Sequence, residues 1–449
     1  MKRILIILAL LLAGIAASAS KPVRVACIGD SITYGHGIEN RESNSYPAAL
    51  QALLGDSYEV RNFGFSARVM SQNGDYPYMK ETMYADAKAF LPEIVTIMLG
   101  TNDTKPQNWS EEDFRNSYVT MVTELKALPT HPDIYVCFPP TVHEEKWGIN
   151  DSTIVAGVIP ILNSVSDKQW LEVIDTHSAS AGCGDHFYDG VHPDSVASKI
   201  LAQTICDALY ANGWGRTPGK KVVFAGDSIT DGGWGNANGK PSTSRNHYDM
   251  NHLYGHGYAA DCAALYMERH PEKNYRFYNR GISGDTLAGL EKRWNDDVLA
   301  LNPDVISIFI GINDTGGSST YDTFDFAGWE QRYRKLIDSS LSNNPDCRLI
   351  LCTPFLAKSG RFGRRLNYED RLKTVRRLAD TVSRLAAEYN ERLGGGRKVT
   401  LVDFAGLIGE SIESDKSHDA NYWVWDGIHP TYQAHLRMAR LWKKKVGRI

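Results

Sequence analysis

The chain has 449 residues, too many for one ordinary hydrophobic core, and this length predicts two domains. Hydrophobic residues account for 42% of the chain and charged residues for 23%, which excludes a disordered, fibrous or coiled-coil protein. The formal net charge of -4 argues against a broad basic surface for nucleic acid or anionic lipid. We therefore expect compact domains whose partners are uncharged molecules rather than nucleic acid.

The amino-terminal residues have the features of a secretory signal peptide. Lys2 and Arg3 precede an apolar run over residues 4–15, and the Ala-Ser-Ala sequence at 17–19 fits a signal-peptidase site. The alternative is a membrane anchor, but the run is shorter than the roughly 20 apolar residues that a spanning helix needs. We assign residues 1–19 to a signal peptide and expect export to the periplasm or the extracellular space, without stable membrane insertion.

Seven cysteines are spread unevenly along the chain and do not form a disulfide framework. Cys27, Cys137 and Cys352 lie in apolar, strand-like runs, where cysteine behaves as a small buried hydrophobe. An export compartment permits a bridge among the others, but the sequence leaves the pairing open, as it does the oligomeric state. There is no CxxC or HExxH spacing, so we expect no metal and no other cofactor.

Short β-rich apolar runs alternate with helical patterns, and the series occurs twice. The runs are "VRVACI", "YEVRNF", "EIVTIML", "DIYVCF" and "LEVID", then "KVVFA", "YRFYN", "DVISIFI", "RLILC" and "VTLVD". This alternation predicts a parallel sheet with helices on both faces, hence two tandem doubly wound α/β domains of three layers. The domains would cover residues 20–212 and 221–449. A connection rich in Gly and Pro, residues 213–220, forms the predicted linker.

Two amphipathic helices have recognisable ends. Ser110, with Asp113 three residues later, begins the first of them in the manner of a capping box. In the second, apolar residues at helical spacing from Leu372 to Leu385 predict a helix that ends before Gly394. Both helices would cover a sheet.

Four short sequence blocks occur in both halves, in the same order. In the first half they are "GDS" with Ser31, "NFGFS" with Gly64, "GTND" with Asn102, and "DGVHP" with Asp189 and His192. In the second half they are "GDS" with Ser228, "NRGIS" with Gly281, "GIND" with Asn313, and "DGIHP" with Asp426 and His429. The blocks stand beside strand ends, and the carboxyl ends of parallel strands share one edge of a sheet. We therefore expect each set to converge.

The residue types in each set fit nucleophilic acyl transfer. A serine hydroxyl becomes a nucleophile when an imidazole accepts its proton, and a carboxylate orients that imidazole. An Asp and a His three positions apart can meet across one turn. The predicted catalytic residues are Ser31, His192 and Asp189 in the first domain and Ser228, His429 and Asp426 in the second.

Acyl transfer also needs hydrogen-bond donors for the oxyanion of the tetrahedral intermediate. The predicted donors are the backbone N–H groups of Ser31 and Gly64 with the Asn102 amide, and those of Ser228 and Gly281 with the Asn313 amide. Taken singly, such a serine could be a helix cap and such an asparagine a turn residue. Two complete ordered sets favour the catalytic interpretation. We assign the neighbouring Asp30, Asp103, Asp227 and Asp314 to holding the loops.

These blocks resemble those of the SGNH hydrolases, also called the GDSL esterase and lipase superfamily. The resemblance covers nearly the whole of both domains and implies flavodoxin-like domains that hydrolyse esters. One departure is Ala67, where the family often has glycine; the second half keeps Gly284. The opening stretch, residues 23–55, resembles exported bacterial carbohydrate O-acetylesterases of this superfamily.

Aromatic residues near the blocks indicate the substrate class. The stretch from 231 to 256 is rich in Gly, Asn, Trp, Tyr and His and poor in aliphatic residues, which suits sugars better than lipid chains. Candidate substrate-binding residues are Trp234, Trp423, Trp425 and Tyr34. The alternative for the tryptophans near Asp426 is core packing.

The sequence thus predicts an exported serine esterase that removes O-acetyl groups from carbohydrates, with a Ser-His-Asp site in each domain. One alternative is an esterase or lysophospholipase directed at lipids. Another is one active domain joined to an SGNH domain that only binds glycans. The sequence leaves the sugar and the acylated hydroxyl open.

Overall fold

The computed structural model describes residues 21–215, 219–233, 254–317, 320–395 and 398–449. The predicted signal peptide, part of the predicted linker and Trp234 lie outside the described residues. Within them the chain forms two sheets of five parallel strands each. None of the helices in the described ranges is long and apolar enough to cross a membrane.

The first sheet has the strand order β2-β1-β3-β4-β5. Its strands are β1 (Val23–Gly29), β2 (Tyr58–Gly64), β3 (Ile94–Met98), β4 (Asp133–Cys137) and β5 (Glu172–Ile174). Gly29 pairs with Gly64 on one side and with Met98 on the other, so three strands end at one level. This register brings the loops that follow β1, β2 and β3 together.

The second sheet repeats that order with its own strands, as β10-β9-β8-β6-β7. They are β6 (Lys221–Gly226), β7 (Arg276–Gly281), β8 (Val305–Phe309), β9 (Arg348–Cys352) and β10 (Val399–Val402). Gly226 pairs with Gly281 and with Phe309, which gives the same alignment of strand ends. All ten predicted runs form strands, and the prediction of two doubly wound domains is confirmed.

Helices cover both faces of each sheet. In the described part of the first domain they are α1 (Ser31–Tyr34), α2 (Arg41–Asn44), α3 (Tyr46–Leu54), α4 (Thr82–Ala89), α5 (Glu111–Lys126), α6 (Asp151–Thr153), α7 (Ile159–Gln169), α8 (Thr176–Ser180) and α9 (Ser195–Ala211). In the second they are α10 (Ser228–Asp231), α11 (Tyr258–Arg269), α12 (Leu287–Arg293), α13 (Phe326–Asn343), α14 (Gly360–Gly363), α15 (Tyr368–Arg392), α16 (Phe404–Ser414) and α17 (Tyr432–Val446).

The two predicted helix ends are confirmed. The Ser110 side chain caps α5 by accepting a hydrogen bond from the backbone N–H of Asp113. Helix α15 ends at Arg392, just before Gly394, which has the positive φ of 77° that glycine adopts easily at a helix end. Local sequence therefore sets both boundaries.

Apolar side chains pack on both sides of each sheet. In the first domain, one cluster joins the sheet to α3 and α9, and another joins its opposite face to α5 and α7. All seven cysteines are buried and none forms a disulfide bond with another described residue; they include Cys27, Cys137 and Cys352, for which burial was predicted. The cysteines therefore contribute to apolar packing rather than to cross-links.

The connection between the domains is packed against both of them. Trp214, within the predicted linker, is buried, and its indole N–H donates to Asp133 Oδ2 at 3.0 Å. The guanidinium of Arg276, in β7, lies 3.3 Å from the centre of the same ring. The Tyr58 hydroxyl donates to the Trp214 carbonyl at 2.9 Å. This part of the linker therefore belongs to the interface.

Buried ion pairs also join the domains. Lys221 pairs with Glu93, and both side chains are almost inaccessible to solvent. Arg276 lies 3.6 Å from Asp133. Glu93 and Asp133 stand at the amino ends of β3 and β4, opposite the strand ends that carry the sequence blocks. The predicted site of the first domain therefore lies far from the interface.

Candidate active sites

In each domain a serine begins a short helix directly after the first strand. The carboxylate of Asp30 caps α1, with Oδ1 accepting the Ile32 N–H at 2.9 Å, and Asp227 caps α10 in the same way through Ile229 at 3.0 Å. Burial raises the pKa of each carboxyl group to about 7. Both carboxylates thus hold the serine loop, as predicted.

The structure brings the three predicted catalytic residues of the first domain together as a hydrogen-bonded series, Ser31–His192–Asp189, which we call a relay. His192 Nε2 lies 2.8 Å from Ser31 Oγ, and His192 Nδ1 lies 2.7 Å from Asp189 Oδ2. The other carboxylate oxygen, Oδ1, accepts the backbone N–H groups of Val191 and His192. The carboxylate therefore fixes both the ring and the turn that carries it.

The second domain repeats the relay with nearly the same distances. Ser228 Oγ lies 2.8 Å from His429 Nε2, and His429 Nδ1 lies 2.8 Å from Asp426 Oδ2. Asp426 Oδ1 likewise accepts the backbone N–H groups of Ile428 and His429. Two sets of blocks far apart in the chain thus fold into one geometry.

Electrostatics in the first site favour a neutral base beside a charged acid. Burial lowers the pKa of the His192 imidazole, and the Asp189 carboxylate only partly offsets that effect. Burial alone would raise the pKa of Asp189, but hydrogen bonds from His192 and Val191 outweigh it and hold that pKa below its usual range. At neutral pH the imidazole can therefore accept the serine proton.

The two predicted asparagines lie beside these relays. Asn102 Nδ2 donates to the Arg68 carbonyl at 3.2 Å and to Asp30 Oδ2 at 3.4 Å. Asn313 Nδ2 donates to the Asp285 carbonyl at 3.0 Å. An amide nitrogen carries two hydrogens, so Asn313 keeps one donor for an oxyanion, whereas Asn102 supplies one only by giving up its longer contact with Asp30.

Asp103 and Asp314 hold the loops that follow β2 and β7, as predicted. Asp103 accepts the backbone N–H groups of Met70 and Ser71, each at 2.9 Å. Asp314 accepts the backbone N–H of Leu287 at 3.1 Å. Each carboxylate therefore links the asparagine block to the glycine block.

The predicted role of Gly64 and Gly281 as oxyanion donors does not fit the structure. The Gly64 N–H donates to Asn62 Oδ1 at 2.8 Å, and the Gly281 N–H donates to Asn279 Oδ1 at 2.9 Å. A Cβ on Gly64 would lie 2.1 Å from the Tyr34 backbone nitrogen. These glycines therefore let helices α1 and α10 approach strands β2 and β7. Their backbone N–H groups already donate to the asparagine side chains.

The residue directly after each glycine block has a backbone N–H with no partner among the described residues. Ala67 in the first domain and Gly284 in the second both have positive φ angles, 65° and 83°. Neither backbone N–H forms a hydrogen bond with the described residues. Each precedes the residue whose carbonyl accepts from the asparagine amide, Arg68 or Asp285. Sequence comparison of the halves had marked this position because it differs.

Three rings surround the imidazole of the first site. The ring centre of His36 lies 4.8 Å from that of His192, Trp147 lies 5.9 Å from it, and Tyr188 lies 6.1 Å from it. The sequence reasoning missed Trp147. Its signal was available, because Trp147 lies in the loop that follows β4 and therefore at the edge of the sheet where the blocks meet.

The second site opens into a cavity of about 480 Å³. Its walls include Ser228 and His429 together with Trp425, Tyr432 and His435. Trp425 stacks on His429 with ring centres 6.0 Å apart. His435, which sequence reasoning also missed, is buried and accepts the Tyr258 backbone N–H at Nδ1; burial lowers its pKa to about 4.

The predicted substrate-binding residues have different outcomes. Trp425 lines the second site, whereas Trp423 is buried in the core, where its indole N–H donates to Asp415, so a substrate role for Trp423 is wrong. Tyr34 lies in a separate cavity of about 660 Å³ with Arg41, whose guanidinium is 3.9 Å from the tyrosine ring centre. The prediction for Trp234 lies outside the described residues.

Acyl transfer is the chemistry that both arrangements serve. Each hydroxyl has a base within hydrogen-bonding distance, the base has an orienting carboxylate, and an amide stands where the oxyanion would form. The described residues contain no group of three or more His, Cys, Asp or Glu placed to hold a metal ion. The fold and the two sites together define a serine hydrolase.

Comparison with known proteins gives the family. A model of the GDSL-like Lipase/Acylhydrolase family matches residues 27–199 and again residues 224–437, and the chain belongs to that family. The two matched regions fall inside the two predicted domains. Each half of the chain therefore carries one domain of that family.

Similar proteins include acetylxylan esterases. The chain is 41% identical over 217 residues to an acetylxylan esterase of Xylanibacter ruminicola; the match covers 44% of this chain and 45% of that protein, less than half its length. It is 29% identical over 237 residues to an acetylxylan esterase of Geobacillus stearothermophilus, covering 51% of this chain and 94% of that protein. The crystal structure of Axe2, an acetylxylan esterase from Geobacillus stearothermophilus, covers 52% of this chain and 96% of that chain, with 26% identity and a TM-score of 0.38.

Proposed function

We propose that the protein is an exported serine esterase that removes O-acetyl or other short acyl groups from carbohydrates, with a working site in each domain. The observation that carries this proposal is the Ser-His-Asp relay, formed twice with hydrogen bonds of 2.7 or 2.8 Å. The acetylxylan esterase relatives support the carbohydrate substrate. The signal-like segment at residues 1–19 supports export.

The first site would act in two steps. Ser31 Oγ attacks the ester carbonyl carbon while His192 Nε2 accepts the hydroxyl proton, and Asp189 stabilises the resulting imidazolium. The ester C–O bond then breaks, and His192 returns the proton to the leaving sugar oxygen. Water attacks the acyl-enzyme by the same route and releases the carboxylic acid. Ser228, His429 and Asp426 would act in the same way in the second site.

The oxyanion would be held by three donors in each site. In the first we infer the backbone N–H groups of Ser31 and Ala67 and the Asn102 amide. In the second we infer those of Ser228 and Gly284 and the Asn313 amide. The free backbone N–H at the residue with positive φ, next to the carbonyl that holds the asparagine, supports this assignment.

The walls of the second cavity favour a short acyl group and a polar alcohol. The described residues of these walls carry imidazole, hydroxyl and aromatic groups and two purely aliphatic side chains, Ile229 and Pro430. A long acyl chain would need a continuous apolar lining to bury its methylene groups. Such walls suit an acetyl ester of a sugar better than a lipid.

The test is the release of acetate from a panel of acetylated glycans, including acetylated xylan, by the purified full chain. We expect acetate release, and hydrolysis of p-nitrophenyl acetate at least about tenfold faster than that of p-nitrophenyl octanoate. The variant carrying both Ser31→Ala and Ser228→Ala serves as the control. Faster hydrolysis of octanoate, with no acetate released from any glycan, would favour the lipid-directed alternative.

A further inference from the structure

An unusual tryptophan stands beside the first site. The side chain of Trp147 is 57% exposed, and its backbone has a φ of 56°, which is uncommon for a residue other than glycine. A large exposed aromatic ring in a strained conformation stabilises neither the core nor the turn. Trp170 has both features as well, and what distinguishes Trp147 is its position beside the imidazole of His192.

The loop that carries Trp147 is fixed to two of the catalytic blocks. The His143 N–H donates at 2.8 Å to the carbonyl of Gly190, which lies between Asp189 and His192. Asn150 Nδ2 donates at 3.2 Å to the carbonyl of Thr104, which follows the Asn102 block. The indole is therefore held in place before any ligand arrives.

Trp147 also has a tight turn of its own. Lys146 and Ile149 exchange backbone hydrogen bonds of 3.2 and 2.8 Å around it. Lys146 Nζ lies 5.1 Å from the centre of the indole ring. Preorganisation of this kind lowers the entropic cost of binding a ligand.

A second exposed ring accompanies Trp147 at the same imidazole. Tyr188 is 54% exposed and lies nearly parallel to the His192 ring, with an angle of 20° between the planes. Trp147 is tilted by 55° to that ring. Exposed apolar surface beside a polar reacting centre matches a sugar, which presents C–H groups on its ring faces and hydroxyl groups at its edge.

We propose that Trp147, with Tyr188, forms a sugar-binding subsite of the first domain that stacks against a pyranose ring of an uncharged glycan. This proposal rests on the proposed function and names the group that selects its substrate. The ring so bound would carry the acylated hydroxyl or adjoin the ring that carries it. The indole would thus set the affinity for glycan esters without taking part in proton transfer.

The second domain has a different group at this place. Arg361, in α14 after β9, has its guanidinium 3.6 Å from Asp426 Oδ2, and residues 353–367 contain no tryptophan. The side chain of Arg361 is a charged guanidinium rather than an aromatic ring. Trp147 therefore has no counterpart among the described residues that follow β9, although Trp425 lies beside His429 as Tyr188 lies beside His192.

The test uses the full chain with Ser228→Ala, so that only the first site works. Trp147→Ala is compared with Trp170→Ala, another exposed tryptophan with a positive φ, which lies at the amino end of β5 and away from the site. With an acetylated xylo-oligosaccharide we expect Trp147→Ala to raise KM about tenfold and to lower kcat less than about twofold. With p-nitrophenyl acetate, KM should rise much less. Trp147→Phe should recover part of the loss.

The outcomes separate this proposal from the proposed function. If Trp147→Ala and Trp170→Ala give the same KM for the oligosaccharide, the subsite is refuted while the esterase proposal stands. If the parent releases no acetate from any glycan, the proposed function fails. Calorimetric titration with the unacetylated oligosaccharide then decides the subsite, because binding weakened about tenfold by Trp147→Ala supports it and unchanged binding overturns it.

Discussion

The two domains share one catalytic geometry but differ in what surrounds it. The distances from the catalytic histidine to its serine and to its aspartate differ by at most 0.1 Å between the domains. The exposure of the histidine differs more, because the His192 side chain is 8% exposed and the His429 side chain is 30% exposed. The relays are built from blocks at strand ends, whose spacing the sheet fixes. The surroundings come from the loops, which tolerate change more freely.

The differences are specific. His192 has Trp147 and Tyr188 beside it, whereas His429 has Trp425 beside it and Arg361 lies next to Asp426. The comparison teaches that the two halves have the same relay geometry, while the loops around it differ. We therefore expect two sites of similar chemistry that prefer different esters.

The largest effect should come from the orienting carboxylates. Asp189→Asn or Asp426→Asn, each made where the other site carries a serine-to-alanine change, should lower kcat of the remaining site about 10⁴-fold, because the imidazole takes the wrong tautomer. Steady-state hydrolysis of p-nitrophenyl acetate measures the loss. Asp194→Asn is the matched control, since Asp194 contacts His186 at 3.0 Å but belongs to neither relay. A loss below tenfold in either site would show that its relay is not used.

The next largest effect should come from the buried Lys221–Glu93 ion pair between the two domains. Lys221→Met removes the cation from Glu93, whose side chain is only 2% exposed, and should lower the free energy of unfolding by about 3 to 5 kcal/mol. Chemical denaturation of the full chain measures it. Lys220→Met, at the exposed position next to Lys221, is the control. Equal midpoints for the two variants would mean that the interface pair contributes nothing to stability.

The asparagines should matter somewhat less than the carboxylates. Asn102→Ala and Asn313→Ala each remove one of the proposed oxyanion donors and should lower kcat of their own site about 10²- to 10³-fold, with a smaller change in KM. Asn116→Ala, at an exposed position of α5, should have no effect. If either asparagine could be removed without loss of kcat, the oxyanion would have to be stabilised by other donors in that site.

The smallest expected effect is a shift in pH dependence. Burial lowers the pKa of His192 below its ordinary 6.5, and only the neutral imidazole accepts the serine proton. The first site, measured in the Ser228→Ala variant, should therefore keep its kcat/KM at pH 6.5 and lose it only at lower pH. A profile of kcat/KM from pH 4 to 8 gives the midpoint. A midpoint at or above pH 6.5 would contradict the described environment of His192.

The sequence predicted the scaffold and the relays because both follow from local signals. Ten apolar runs became ten strands, and each block stands at a strand end, where parallel topology leaves little choice of position. Asp189 and His192 are three residues apart, so their contact is local. The pairing of Ser31 with His192 followed once the strand ends shared an edge.

What the sequence could not predict depends on side-chain direction and on loops. The N–H of Gly64 is engaged because the Asn62 side chain turns back to accept it. Trp423 and Trp425 are two positions apart, yet one enters the core and the other reaches the site. Trp147 has no counterpart in the second half, so comparison of the halves could not find it.

The central claim is that each domain carries its own working esterase site. Ser31→Ala, Ser228→Ala and the double variant, assayed by acetate release from several acetylated glycans, test it most directly. We predict that each single variant loses a different part of the activity and that the double variant loses all of it, because neither relay includes a described residue of the other domain. Full activity on every substrate after Ser31→Ala would contradict the claim and leave the first domain as a binding module.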